Sequence, residues 1–228
     1  MIANKKAVFF DLDHTLWDFE KNSALAFEEI INKFGIGVDH NDFNAAYSPI
    51  NAQYWKLYRD GHITQQELRY GRLRDCFAQM DYEVDNELLH VLSEEYIRLL
   101  PENAHLFDGT LEILEYLKPK YKLHIITNGP HEVQERKLAN SGIGHYFQTV
   151  TNSELAGCKK PHAGIFQYAL ATAGVKCEEA VMIGDCIEAD VQGAMACGID
   201  AIYFNEGHSD VPSGIIQVNH LLELKNFL

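Results

Sequence analysis

Apolar positions form two kinds of pattern along the chain. Four short runs are almost continuously apolar: residues 7–12 (AVFFDL), 123–127 (LHIIT), 180–183 (AVMI) and 201–204 (AIYF), with a weaker one at 147–150. Runs this short, without polar alternation, predict strands buried on both faces. Between them, residues 109–117, 131–141, 163–173 and 187–197 carry apolar residues at three- and four-residue spacing, the helical signature. Strands alternating with helices of about ten residues predict βαβ units and a parallel sheet with helices on both faces.

One stretch breaks that rhythm. From residue 17 to about 100 there is no strand run, only helical spacing over 23–34, 42–58, 65–80 and 86–100. Thr64-Gln65-Gln66-Glu67 reads as a capping box, since the Thr hydroxyl and the Glu carboxylate can each satisfy the other residue's backbone donor. An all-helical insert after the first strand of a parallel sheet is best read as a cap over the sheet's C-terminal edge, where open α/β sheets bind ligands. The expected architecture is therefore α/β: a three-layer, Rossmann-like parallel sheet core from residues 1–16 and 89–228, with an all-helical cap domain at 17–88.

Composition narrows the function. Nineteen Lys and Arg against 33 Asp and Glu give a net charge of −14 over 228 residues. That balance argues against a nucleic-acid polymer as partner, which would need a basic face. It leaves room for a small phosphorylated metabolite, because one metal ion and one lysine can reverse the field locally. Five scattered cysteines with no CxxC suggest reduced thiols in the cytosol. No apolar stretch approaches about 18 residues, and the first six residues lead straight into a strand rather than a signal-peptide core. The expectation is a cytoplasmic protein without membrane contact, a monomer or homodimer.

Chemistry collects at the strand ends. Asp11 and Asp13 close the first run, and alternate strand residues point the same way. Two like charges at the tip of a buried strand call for a compensating hard cation. Thr127-Asn128-Gly129 closes the second, offering a hydroxyl and a glycine that lets backbone N–H groups approach an anion. Lys160-Pro161 precedes a helical pattern, and Gly184-Asp185 follows AVMI with Asp190 five residues on. Singly each has a bland reading as a turn Thr, a solvated Lys or a helix-capping Asp. Four together, in this order, do not.

These residues resemble the haloacid dehalogenase superfamily of phosphohydrolases, whose four motifs stand here as Asp11-Leu12-Asp13-His14-Thr15, Thr127, Lys160, and Gly184-Asp185 with Asp190. The resemblance implies that Asp11 is the nucleophile that forms an aspartyl-phosphate, and that Asp13 is the acid and base. It implies Mg²⁺ on Asp11, the Asp13 carbonyl and Asp185, and phosphate binding by Thr127, the backbone around Asn128, and Lys160. Asp190 would be either an indirect metal ligand or an orienter of Lys160. Dehalogenases of the superfamily lack the second acid, so Asp13 favours a phosphatase or a phosphomutase. Cys186 sits where a small polar side chain is usual and reads as tolerated.

The stretch from Tyr54 to Leu73 resembles the cap of the bacterial branch that dephosphorylates nucleoside 5′-monophosphates, with Pro130 departing from that branch's usual aromatic. Trp55, Arg69 and Arg72 are the candidate specificity residues there, against bland readings as core and solvated face. The expected function is a Mg²⁺-dependent 5′-nucleotidase. The alternatives are a sugar-phosphate or other small-metabolite phosphatase, a phosphomutase, and, in another class, an inactive metabolite-binding regulator.

Overall fold

The structure, a computed structural model, describes residues 4–228; residues 1–3, part of the N-terminal segment discussed above, lie outside it. The chain divides into two compact units, one formed by the chain up to Asp18 with Ala104–Leu228, the other by Phe19–Asn103.

In the first unit, six parallel strands form one sheet. They are β1 (Ala7–Phe10), β2 (Lys122–Thr127), β3 (Phe147–Asn152), β4 (Ala180–Gly184), β5 (Asp200–Phe204) and β6 (Ile216–Val218), in the order β3-β2-β1-β4-β5-β6. Every residue of β1 and β4 is buried, as uninterrupted apolar runs in mid-sheet require. Phe10 pairs with Ile125 on one side and Ile183 on the other, so the residues after these strands emerge along one edge. The chain runs outward from β1 through β2 and β3, then returns to β4 beside β1. Such a reversal is where open α/β sheets take their ligands. The strand β6 was not foreseen: two of its three residues are exposed, too little for a hydrophobic pattern to register.

The second unit is all helical: α1 (Phe19–Phe34), α2 (His40–Arg59), α3 (Gln65–Gln79) and α4 (Asn86–Leu99). Its interior is a nest of aromatic rings. Phe27 stacks on Tyr96 with centroids 4.3 Å apart and meets Phe43 and Tyr47 at 4.8 and 4.5 Å. The capping box at α3 is present, with the Thr64 backbone N–H donating to Glu67 Oε2 at 2.7 Å and the Glu67 N–H to Thr64 Oγ1 at 3.2 Å. The unit's bounds differ from the expected 17–88. It keeps α4, because Tyr96 packs on Phe27 and hydrogen-bonds Ser23, and it releases Trp17, which bridges to Leu106 in the other unit.

Back in the sheet unit, α5 (Thr110–Leu117), α6 (His131–Asn140), α7 (Ser153–Ala156) and α8 (Ala163–Ala173) occupy the crossovers. Phe9 and Met182 share a buried cluster with Ile165, Phe166 and Ala169 of α8. The helix expected at 187–197 is instead a π-helical turn over Ile187–Gln192 followed by α9 (Gly193–Ala196). The wider turn lets the buried Asp190 carboxylate fold back toward the strand end, where its Oδ2 accepts from the Cys186 N–H at 3.0 Å.

His124 is a polar residue inside the sheet. Its ring stacks on Phe9 at 4.8 Å and its Nδ1 lies 2.8 Å from Thr149 Oγ1. Burial, with help from the Lys122 charge, pushes its pKa down to about 4. A base with a depressed folded-state pKa contributes its full stability above the unfolded value of about 6.5 and loses it as pH falls toward 4. We expect urea titrations to show that the stability gap between wild type and His124→Gln narrows by about 3 kcal/mol from pH 7 to pH 4. A pH-independent gap would contradict a neutral His124.

Candidate active site

The loop after β1 is folded tightly. Leu12 O accepts from the N–H groups of Leu16 and Trp17 at 3.0 and 2.9 Å, and His14 adopts a left-handed φ of 60°. Histidine is among the few non-glycine residues that tolerate that region. The turn brings the Thr15 hydroxyl to Asp185 Oδ1 at 3.3 Å.

Lys160 stands at the centre of the site, only 2% exposed. Its ammonium donates to Asp11 Oδ1 at 2.7 Å and to the Ile126 carbonyl at 2.8 Å, and it forms an ion pair with Asp190 Oδ1 at 2.7 Å. Of the two readings of Asp190, the geometry gives this contact: it is a partner of Lys160. Burial alone would depress the lysine, but Asp11 and Asp190 outweigh it and hold the ammonium above the usual lysine range. The Asn128 side chain accepts from the Lys160 N–H at 2.8 Å and donates to its carbonyl at 3.0 Å. Asn128 was expected to offer its backbone to phosphate. Its side chain is committed to the Lys160 backbone, so an anion would be left its main chain.

One carboxylate oxygen from each of Asp11, Asp185 and Asp190 lies within 4.8 Å of the others. Hard oxygen donors packed this closely fit a hard divalent cation. Burial is the largest influence on Asp11 and Asp185. With the neighbouring carboxylates it outweighs Lys160, lifting Asp11 well above the usual carboxylate range and Asp185 to about 7. One lysine does not neutralise these acids, and a bound cation would complete the balance.

Asp13 lies beside two partners that the sequence did not single out. Lys137 Nζ donates to its Oδ1 at 2.5 Å and Gln134 Nε2 to its Oδ2 at 2.9 Å. Both come from α6, and the same Gln134 nitrogen donates to Thr127 Oγ1 at 2.6 Å. A Cβ at Gly129 would collide with the Gln134 amide, and one at Gly184 with the Asp190 carboxylate, so both glycines answer to close approach. None of the five cysteines forms a disulfide, and Cys186 Sγ caps the π turn by accepting from the Ala189 N–H.

The candidate specificity residues belong to the helical unit. Arg72 is not on a solvated face. It is 4% exposed, donates to Asn51 Oδ1 at 2.7 Å and lies over the Tyr96 and Tyr47 rings at 5.2 and 5.7 Å. Its packing in the aromatic nest explains its burial. Arg69 is 3.7 Å from Glu94, and Trp55 meets Tyr58 edge-on at 5.8 Å.

A profile of haloacid dehalogenase-like hydrolases matches residues 5–198, a span that includes every one of the strand-end residues above. The chain belongs to the haloacid dehalogenase-like hydrolases. Two relatives are named pyrimidine 5′-nucleotidases. YjjG of Escherichia coli is 30% identical over 225 residues, 97% of this chain and 96% of its own. PynA of Streptococcus pneumoniae is 33% identical over 205 residues, 89% and 85%. Glyceraldehyde 3-phosphate phosphatases stand among the relatives too. The hydrolase is also similar to the crystal structure of a putative HAD-hydrolase, YfnB of Bacillus subtilis, bound to magnesium. That match has a TM-score of 0.89 and 28% identity, covering 99% of both chains. Among the described residues of this hydrolase, no helix is long and apolar enough to cross a membrane.

A carboxyl raised above its unfolded pKa costs stability as pH rises through the folded value. Asp185→Asn, which keeps the shape and never ionises, should stabilise the protein in EDTA at pH 8 by about 2–4 kcal/mol. At pH 4 the gain should vanish. An equal gain at both pH values would contradict the raised Asp185.

Proposed function

We propose that this hydrolase is a Mg²⁺-dependent nucleoside 5′-monophosphate phosphatase. The observation that carries phosphatase chemistry is the second acid, Asp13, held two residues beyond Asp11 at the same sheet edge. A phosphate ester needs a proton for its leaving oxygen, and a halide does not. The nucleotide assignment rests on the two nucleotidase relatives, which match most of the chain.

Asp11, Asp185 and the Asp13 carbonyl would hold Mg²⁺, which supplies charge neutralisation at the phosphoryl oxygens. A carboxylate oxygen of Asp11 attacks phosphorus, the bond to the leaving oxygen breaks, and Asp13 gives that oxygen its proton. Asp13, now a carboxylate, takes a proton from a water whose oxygen attacks the phosphorus of the aspartyl-phosphate. The bond to Asp11 breaks, and phosphate leaves. Thr127 accepts from the Gly129 N–H at 3.1 Å and from Gln134, so the hydroxyl's own proton remains to be donated to a phosphoryl oxygen. Lys160 adds positive charge beside the nucleophile. Trp55 and Arg69 are the residues of the helical unit at which base selectivity is to be tested.

Phosphate release measured with Mg²⁺ should be at least about ten times more efficient on nucleoside 5′-monophosphates than on sugar phosphates, the tenfold corresponding to about 1.4 kcal/mol of discrimination. A preference for sugar phosphates would keep the chemistry and discard the nucleotide. A requirement for a bisphosphate activator, with slow phosphate release, would indicate a mutase.

Asp11→Asn should lower kcat by at least about 1,000-fold. A variant that keeps the protein's biological role would show that the covalent chemistry is irrelevant. Asp13→Ala should lose about 100- to 10,000-fold in kcat while still binding a phosphate analogue. Loss of analogue binding instead would remove Asp13 from its acid–base role.

A further inference from the structure

Lys137 and Gln134 are 2% and 1% exposed, and they sit three residues apart on α6, on one face of the helix. Lysine is almost never buried this deeply unless paired. Here its ammonium lies over the Trp17 ring at 4.1 Å and on Asp13 Oδ1. The Gln134 amide turns its nitrogen toward Asp13. Its two N–H bonds then serve Asp13 Oδ2 and Thr127 Oγ1, while its Oε1 is buried without a partner.

Asp13 itself is on a loop, its side chain 22% exposed, and a loop aspartate is free to rotate about both side-chain torsions. Two donors from a single helix, one on each oxygen, remove that freedom. We propose that Gln134 and Lys137 are positioning residues that hold the Asp13 carboxylate in the orientation from which it protonates the leaving oxygen, an inference that rests on the phosphatase reading above. They act through Asp13 rather than on the substrate. Gln134 has a second effect: it fills one acceptor position of Thr127, so that the phosphate grip and the proton donor are set by one amide.

The test uses leaving-group dependence in the full-length protein with Mg²⁺. Lys137→Met and Gln134→Met are assayed separately on a nucleoside 5′-monophosphate, whose alkoxide needs a proton, and on p-nitrophenyl phosphate, whose phenolate leaves without one. The ratio kcat/KM reports only steps up to leaving-group departure, so the later water step does not enter. Each variant should lose about 10- to 100-fold in kcat/KM on the nucleotide and less than about 3-fold on the aryl phosphate. Equal losses on both substrates, or no loss on the nucleotide, would overturn the positioning role while the phosphatase reading stands. A wild-type protein inactive on both would overturn the reading and this inference together. Thermal unfolding identifies a variant that has lost its fold, and the other variant then decides.

Discussion

A buried ammonium holds this site together. Lys160 meets partners on three different segments: it donates to Asp11 after β1 and to the Ile126 carbonyl in β2, and it forms an ion pair with Asp190 in the turn after β4. Burying a cation is tolerable only when each proton is met and opposite charge is close. Much of the local architecture follows from that requirement. The Asn128 side chain grips the Lys160 backbone on both sides, and the helix after β4 widens into a π turn that folds Asp190 inward. Gly184 stays bare so that the Asp190 carboxylate can lie against it.

The same arrangement is deliberately short of positive charge. Asp11, Asp185 and Asp190 crowd within 4.8 Å, and burial together with that crowding outweighs Lys160, so two of them resist ionising. Such a cluster opposes folding on its own, and a bound hard cation would reverse that effect. Function and stability therefore pull in opposite directions here, as they commonly do where a site is organised around a ligand.

The sheet and the edge that carries the candidate site were legible because they break a rule. A strand buried on both faces should not end in Asp11 and Asp13, nor in Gly184-Asp185, so acids at those places stand out against the apolar runs before them. The helical unit was legible from three- and four-residue spacing, although its far boundary was not. That boundary depends on Tyr96 stacking on Phe27, a contact between residues 69 positions apart that no local pattern reveals. Gln134 and Lys137 were hidden for the opposite reason: polar residues at helical spacing read as a solvated face, and only tertiary structure shows that this face is turned to Asp13 and Thr127. Arg72 misled in the same way, since its burial under two tyrosine rings is a matter of packing and not of sequence.

The pairing of Lys137 with Asp13 also constrains how this chain could change. Within this superfamily a branch that expels halide has no use for an acid at that position. A descendant that replaced Asp13 with an apolar residue would take its carboxylate partner from a lysine only 2% exposed, leaving the Trp17 ring among that lysine's remaining contacts. Divergence at residue 13 would therefore favour a matching replacement at residue 137. The chemistry of the first strand's tip is tied, through one ion pair, to the sequence of a helix more than a hundred residues away.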